Sequence, residues 1–463
     1  MAPRIHNRKM RVLDLRRLIE LQVSSKIASK FKQLITMYPW INSRGGNNGG
    51  GGGSNSWGSG RGGPWRGGGG GRGEGGGGRG TPWGGGGSWA TEKSPEEEES
   101  EKTLDAIREL FRNDTRFTCE NPLGDIHNGA AMIIKEECTV EGQPRVRRFV
   151  VKAGISGAHH SVRKETRHLN SLAFAEHIPR IIAFQDHPLM NLGVPLFVSE
   201  YLEHGTLSRF QERLRRADQV LPNRILWSIF LCRKTELELL STWANWYIVI
   251  RACIGMAWPP PGPNVEPEQT RPDDPTTLAH NDMHNENLVF GDLDVVSIEP
   301  NSSDHSLMPI LKLINFGESV ELPEGTDEYR LNETHVNQHD RALNLAAHRR
   351  NRSTDKNVLD VGVNMSQIIS QRRSVFPNEA RALIRDPDIH PSLDPDLRLL
   401  VQRCIAVDPL NRPTLDELME LFNNSYFNRP ASYYGAAGEG DGLESDETIR
   451  KIVSTYILSA DTS

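Results

Sequence analysis

The stretch that decides the fold is Leu278-Ala-His-Asn-Asp-Met-His-Asn-Glu-Asn-Leu-Val289, a polar loop that runs directly into an apolar pair. It places Asp282 five residues before Asn287. A carboxylate in such a loop can orient a hydroxyl nucleophile, and an amide oxygen can coordinate the Mg²⁺ that accompanies a nucleotide. The spacing therefore favours phosphoryl transfer, although a polar loop with an ordinary Asx turn has a similar composition.

A lysine and a glutamate upstream fit the same chemistry. Lys152 stands near the end of the apolar segment Arg148-Phe-Val-Val-Lys-Ala153, which we predict to be a strand. Residues 162–172 carry apolar side chains at helical spacing, and Glu165 lies within that predicted helix. A lysine at the end of such a strand can reach the α- and β-phosphates of a nucleotide, and the glutamate can pair with it.

Three more segments follow in chain order. Phe197-Val-Ser-Glu-Tyr-Leu-Glu-His-Gly-Thr-Leu207 has the pattern of a strand that runs into a connecting segment. Lys312-Leu-Ile-Asn-Phe-Gly317 places Asn315 28 residues after Asn287, and Cys404-Ile-Ala-Val-Asp-Pro-Leu-Asn-Arg-Pro-Thr414 ends a helical pattern. Strand patterns come first and helical patterns later, which predicts an α+β fold with two unequal lobes.

In this order, the segments resemble the protein kinase family over about 310 residues. The overall texture resembles the divergent protein-kinase-like domains of filamentous fungi. The resemblance implies a bilobal α+β fold with a small β-rich N-lobe and a larger helical C-lobe. It also implies ATP and Mg²⁺ as cofactors, and transfer of the γ-phosphate to serine or threonine, rather than tyrosine, of a protein substrate.

The resemblance also implies a role for each motif residue. Asp282 corresponds to the catalytic base of the family's His-Arg-Asp loop. Lys152 and Glu165 correspond to the catalytic ion pair that positions the phosphates. Asn287 and Asn315 correspond to the two metal ligands.

Two further segments correspond to the nucleotide-binding parts of the family. Gly124 and Gly129 match the first and third glycines of the loop that covers the phosphates. Glu200 and Leu202 match the two ends of the hinge that hydrogen-bonds adenine, and Ser199 matches the small residue that guards the pocket behind it.

The metal site departs from the family pattern. Asn315 stands where the family has an aspartate. Mg²⁺ is a hard cation, and a neutral amide oxygen coordinates it without cancelling its charge. We expect this change to weaken metal binding by roughly a few kcal/mol.

Other departures affect the phosphate cradle and the peptide platform. Ile126 replaces the middle glycine of the phosphate-covering loop, where a side chain crowds the backbone. Asn281 replaces the arginine that receives a phosphorylated activation loop, and His284 replaces a lysine that helps hold the γ-phosphate. Histidine is mostly neutral at pH 7. No Ala-Pro-Glu follows the Asn-Phe-Gly motif, and Asn357 stands where an aspartate is expected.

These departures leave two alternative functions open. A catalytically impaired relative, a pseudokinase, would act as a scaffold or allosteric partner of another protein. A small-molecule phosphotransferase is the second alternative, because His280-Asn-Asp-Met-His-Asn-Glu-Asn287 also resembles the loop of aminoglycoside and choline kinases. Asp408-Pro-Leu-Asn-Arg-Pro413 favours the protein kinases, since that pattern belongs to their C-terminal lobe.

Composition predicts the domain order. We expect a basic segment with one helix, a disordered glycine-rich arm with an acidic linker, a kinase-like N-lobe, a C-lobe and a polar tail, at residues 1–43, 44–100, 101–202, 203–430 and 431–463. Within the tail we expect one short helix near residues 448–458. Residues 233–250 interrupt an expected helix of the C-lobe. Our hypothesis is that this insertion is translated from a retained intron, and a genuine surface insertion is the alternative.

The glycine-rich arm suggests a second kind of partner. Residues 45–87 contain 26 glycines, a composition that cannot fix its backbone. Residues 1–90 carry 14 basic and three acidic side chains, so this end can attract an anion. RGG-type segments of RNA-binding proteins resemble the arginine–glycine steps that begin at Arg61, Arg66, Arg72 and Arg79. Nucleic acid is therefore a candidate partner, with a plain flexible linker as the alternative.

The cysteines and the apolar content bear on the compartment. Five cysteines lie without a Cys-x-x-Cys pair, which disfavours a zinc module and a disulfide framework. No uninterrupted apolar stretch approaches the length of about 18 residues that spans a bilayer, so we expect no membrane association. A cytoplasmic or nuclear protein is the expectation.

Overall fold

A computed structural model gives the structure of the chain, which divides into two units, Met1–Gly87 and Ser88–Ser463. The residues that the structure describes all belong to the second unit: 93–123, 129–140, 143–183, 189, 192–230, 248–262, 264–265, 268–292, 307–322, 352–426, 429, 431–436 and 442–459. The predicted basic helix and glycine-rich arm lie outside the described residues, as do Gly124, Ile126 and most of the 233–250 insertion.

A four-stranded antiparallel sheet forms the first part of the described chain. Its strands follow the chain order β1 (Phe117–Leu123), β2 (Ala130–Val140), β3 (Gln143–Ala153) and β4 (Leu196–Glu200). In β3 the burial alternates at Phe149, Val151 and Ala153, so these side chains share one face. Intervening residues, including Lys152, project from the other face.

Helix α1 (Pro95–Phe111) packs against β1 and β2. The charged stretch 92–102 was expected to be a linker, but most of it lies in this helix. Ser94 and Glu97 form a reciprocal capping box at its start, and three glutamates of the first turn face the positive end of the helix dipole. Leu104, Ile107 and Phe111 then bury the apolar face of the helix.

Helix α2 (His159–Ser171) follows β3 and begins beside Gly129. Gly129 has a φ of +108°, and a Cβ atom there would lie 2.7 Å from the carbonyl oxygen of Ala153. Only glycine fits this approach between the start of β2 and the end of β3. The position therefore fixes the path of the chain into β2.

The second part of the described chain is mainly helical. Two short antiparallel pairs lie within it: β5 (Leu278–Ala279) with β8 (Val320–Glu321), and β6 (Leu288–Phe290) with β7 (Leu311–Leu313). Its helices are α3 (Leu207–Arg216), α4 (Asn223–Phe230), α5 (Ile248–Ala257), α6 (Arg352–Ser370), α7 (Pro377–Arg385), α8 (Pro395–Cys404), α9 (Leu415–Tyr426), α10 (Ala431–Ala436) and α11 (Asp446–Val453), the last followed by a π-helical turn, Ser454–Leu458.

Two apolar clusters match these two parts. The smaller joins α1 to one face of the sheet through residues such as Ile107 and Phe149. The larger is built on the helices and includes Trp227, Phe230 and Leu397. The described chain is thus a mixed α/β structure with its strands mainly first and its helices mainly later, as expected for the α+β class.

The boundary of the 233–250 insertion differs from the expectation. Residues 248–250 form the first turn of α5, and Val249 and Ile250 are buried in the larger cluster. Helices α4 and α5 lie on the two sides of residues 231–247, which are outside the described residues. At least the end of the insertion therefore contributes to the core.

The segment expected to be a polar tail is also packed. Ile449, Ile452, Val453 and Ile457 are buried in the larger cluster. The Glu444 carboxylate accepts hydrogen bonds from the first two backbone amides of α4. This segment packs because the apolar residues of α11 recur at helical spacing and share one face. A short helix at the surface can bury such a face only against a neighbouring element. Within the described ranges, no helix is both long and apolar enough to cross a bilayer.

Candidate functional site

Lys152 and Glu165 form a buried ion pair. Lys152 lies near the end of β3, opposite Ala131 of β2 and Phe197 of β4. Its Nζ donates to Oε2 of Glu165 in α2 at 2.7 Å, and the two side chains are 13% and 4% exposed. Glu165 shares the buried face of α2 with Val162, so the helix packing holds the carboxylate against the lysine.

Asn315 brings a second element to the same lysine. It follows β7 and adopts the left-handed conformation, with a φ of 68°, which asparagine tolerates better than most residues. Lys152 Nζ also donates to Oδ1 of Asn315, at 3.2 Å. Phe316 is fully buried and packs edge-on against the His280 ring at 4.8 Å. This contact anchors the turn that carries Asn315.

Asn287 and Asp282 complete a continuous chain of hydrogen bonds. Asn315 Nδ2 donates to Oδ1 of Asn287 at 3.3 Å. Asn287 Nδ2 in turn donates to the backbone oxygen and Oδ2 of Asp282, at 2.8 and 3.0 Å. The structure therefore brings together all five residues predicted for catalysis and metal binding: Lys152, Glu165, Asn315, Asn287 and Asp282.

The loop that carries Asp282 is fastened to α6 through Asn357. Oδ1 of Asn357 accepts from the backbone amide of His280 at 3.0 Å, and its Nδ2 donates to the Leu278 carbonyl at 3.1 Å. Sequence reasoning treated Asn357 only as a missing aspartate. An amide offers both a donor and an acceptor, and this pairing of one side chain with two backbone groups needs both.

His284 pairs with Asp282. Its Nε2 lies 3.6 Å from Oδ2 of Asp282 and 3.0 Å from Nδ2 of Asn287. Burial alone raises the pKa of the Asp282 carboxyl, but the hydrogen bond and charge of His284 outweigh it and the pKa lies below its usual value. Burial likewise lowers the pKa of His284, but Asp282 outweighs it and the pKa is raised.

His280 is held as a neutral imidazole. Its Nε2 lies 3.0 Å from the Ile314 carbonyl, a contact that places the proton on Nε2. Complete burial lowers the pKa of His280 to about 4. The ring therefore supports the loop and Phe316 by packing.

Acid should destabilise the protein through its buried histidines. His280 and His168 both have a pKa lowered by burial to about 4. The unfolded chain binds these protons below about pH 6.5, so the free energy of unfolding should fall as the pH drops from about 6.5 to 4, by about 3 kcal/mol for His280. Urea unfolding at several pH values measures the slope. The His168→Leu variant should show a shallower slope, and the exposed control His160→Leu should not. If His168→Leu left the pH dependence of the free energy of unfolding unchanged, the buried histidines would not be its cause.

The predicted hinge positions Glu200 and Leu202 have contacts of their own. Glu200 ends β4, and its carboxylate accepts from Lys312 Nζ at 2.6 Å and from the Arg180 amide at 2.8 Å. Burial raises the pKa of Glu200, but Lys312 outweighs it and the pKa is lowered. Its side chain is therefore engaged away from Lys152. A Cβ atom on Gly291 would lie 3.3 Å from Leu202, which places the Leu202 side chain next to the β6 strand end.

A separate cluster joins the buried His177 and Glu268 to the half-buried Glu176. The His177 amide and Nδ1 contact the two oxygens of Glu268 at 2.7 and 2.8 Å. Arg251 Nη1 lies 3.9 Å from Glu176 and 3.8 Å from Glu268. The two carboxylates thus already face a guanidinium, and the cluster is best explained as a buried ion-pair network that ties α5 to neighbouring segments.

No family model matches the chain, and no curated protein matches its sequence. The case for a function therefore rests on the chemistry of the site: one lysine, one aspartate and two asparagines from three separate segments, joined side chain to side chain.

Proposed function

We propose that the chain is a protein-kinase-like domain that binds ATP beside Lys152. The observation that carries this proposal is the hydrogen-bonded chain from Lys152 through Asn315 and Asn287 to Asp282. These residues come from three segments that lie far apart in sequence, with Asp282 and Asn287 on the same loop, and no single helix or turn explains the convergence of the three segments. A shared ligand with several phosphates is the simplest reason to assemble them.

The mixed α/β arrangement of the described chain supports the proposal. The strand-rich part supplies Lys152 and Glu165, and the helical part supplies Asp282, Asn287 and Asn315. In this arrangement the lysine ammonium would contact the α- and β-phosphates, and the backbone between Glu200 and Leu202 would contact the base. Asp282 lies where it could accept the proton of a serine or threonine hydroxyl in a protein substrate.

The same contacts favour a catalytically impaired domain as the second candidate. The Asn315 and Asn287 side-chain oxygens already accept hydrogen bonds, from Lys152 and from Asn315 respectively. A donor set of neutral, engaged amides fits Mg²⁺ poorly, because this ion favours charged oxygen ligands in octahedral geometry. A pseudokinase would use the nucleotide to stabilise a surface for a protein partner.

Thermal unfolding of the full chain with ATP tests the proposal. A ligand that binds only the native state raises the melting temperature by mass action, so ATP should raise it by a few degrees and adenine-free triphosphate should not. Failure of every nucleotide to shift the melting temperature would contradict the proposal.

Phosphate transfer to a general protein substrate separates the two candidates. Transfer that is lost in Asp282→Ala but kept in Asp292→Ala, an exposed control, would establish the kinase.

A further inference from the structure

The hydrogen bonds of the site run in one direction, and this fixes the orientation of both amides. Lys152 carries only donors, so the Asn315 atom that it contacts must be the oxygen. The Asn315 nitrogen then faces Asn287, whose contacting atom must be its own oxygen. The Asn287 nitrogen finally donates to Asp282, an acceptor. Turning either amide around would place one hydrogen-bond donor against another. The Lys152 ammonium and the Asp282 carboxylate therefore determine the orientations of Asn315 and Asn287.

This order places a hydrogen bond where the family pattern has a metal ion. The two candidate metal ligands, Asn287 and Asn315, contact each other directly, amide nitrogen to amide oxygen, at 3.3 Å. A cation coordinated by both oxygens would have to break this contact and the contact between Lys152 and Asn315. It would also lie close to the Lys152 ammonium, which repels it.

Each carboxylate of the site already has a partner within the protein. Glu165 accepts from the Lys152 ammonium at 2.7 Å, so this cation is already paired. Asp282 accepts from Asn287 Nδ2 at 3.0 Å, and His284 Nε2 lies 3.6 Å from the same oxygen, Oδ2. A metal ion would therefore have to compete with these contacts for the Asp282 carboxylate.

We propose that this site binds nucleotide without a divalent cation, with the Asn315–Asn287 hydrogen bond in place of the metal. The ligand class is a metal-free adenine nucleotide, whose phosphates interact with Lys152. The inference rests on the proposed ATP site and adds to it the absence of a metal requirement. It also identifies Asn315 as the residue that sets this property, since an aspartate there would supply a charged ligand and no donor for Asn287.

Calorimetric titration of the full chain with ATP, in excess EDTA and in excess Mg²⁺, tests the inference. The wild-type dissociation constants should agree within about twofold. Asn315→Asp should bind ATP at least about tenfold more tightly in Mg²⁺ than in EDTA. Asn170→Asp makes the same change at an exposed position of α2 and should behave as wild type.

The outcomes separate the two proposals. ATP binding by the wild type only in Mg²⁺ would overturn the metal-free inference and leave the ATP site standing. Absence of binding in both buffers would overturn the ATP site and the inference with it. The comparison of wild-type ATP binding in EDTA and in Mg²⁺ is sufficient to test the inference. The test therefore remains valid even if Asn315→Asp does not fold.

Discussion

Replacing Lys152 by methionine should weaken ATP binding about 30-fold and lower the free energy of unfolding by about 3 kcal/mol. Methionine keeps much of the side-chain length but removes the ammonium. The loss of charge-assisted hydrogen bonds to phosphate costs about 2 kcal/mol of binding. The stability loss arises because Glu165, 4% exposed, keeps a buried carboxylate whose cation is gone. Calorimetric titration and urea unfolding measure the two effects.

The double variant Lys152→Met/Glu165→Leu separates binding from folding. Removing both charges removes the uncompensated carboxylate, so most of the lost stability should return. ATP binding should remain as weak as in the single variant, since the ammonium is still missing. If the double variant bound ATP like the wild type, Lys152 would be a structural residue and the proposed phosphate contact would be wrong.

Asp394→Ala should lower the free energy of unfolding by about 4 kcal/mol. The Asp394 carboxylate is 1% exposed and accepts hydrogen bonds from side chains of the C-terminal segment. Arg429 contacts its two oxygens at 2.8 and 2.7 Å, Tyr434 donates to it at 2.9 Å, and it caps α8 through the Asp396 amide at 2.9 Å. The variant leaves the Arg429 guanidinium buried without this partner and removes a helix cap.

A partly exposed capping aspartate provides the matched control for this prediction. Asp408 accepts from the Leu410 amide at 2.9 Å at the start of a short 3-10 turn. Asp408→Ala should cost about 1 kcal/mol, the value of a cap alone. Urea unfolding of both variants gives the comparison. Equal losses would mean that Arg429 and Tyr434 contribute nothing through Asp394, and that the residues after 428 are not part of the cooperative fold.

The sequence was sufficient to predict which residues meet at the site. The positions of Lys152, Asp282, Asn287 and Asn315 follow from short motifs, and each motif reports a local structure such as a strand end or a loop before an apolar pair. The order of the motifs then indicates that they share one site. The detailed pairing could not be predicted, because it depends on side-chain atoms: an asparagine at position 315 donates as well as accepts, and a motif does not show which atom faces Asn287.

Average charge and polarity hid the packing at both ends of the described chain, although the short helix near residues 448–458 was expected. Residues 92–102 are acidic enough to suggest a linker, yet acidic side chains at a helix start are stabilising, and Ser94 supplies the cap. Residues after 430 are polar on average, yet Ile449, Ile452 and Ile457 fill one buried face. In both places the spacing of a few apolar residues decides the packing, and the average composition hides it.

The most direct test of the account is chemical labelling of the lysine at the proposed phosphate site. An acyl phosphate of ATP transfers its acyl group to an amine held against the phosphates, and mass spectrometry identifies the labelled residue. We predict that Lys152 is acylated by this reagent in EDTA, that excess ATP protects it, and that the exposed Lys102 shows no such protection. Absence of label at Lys152, or label that excess ATP does not reduce, would contradict the central claim that a nucleotide binds beside this side chain.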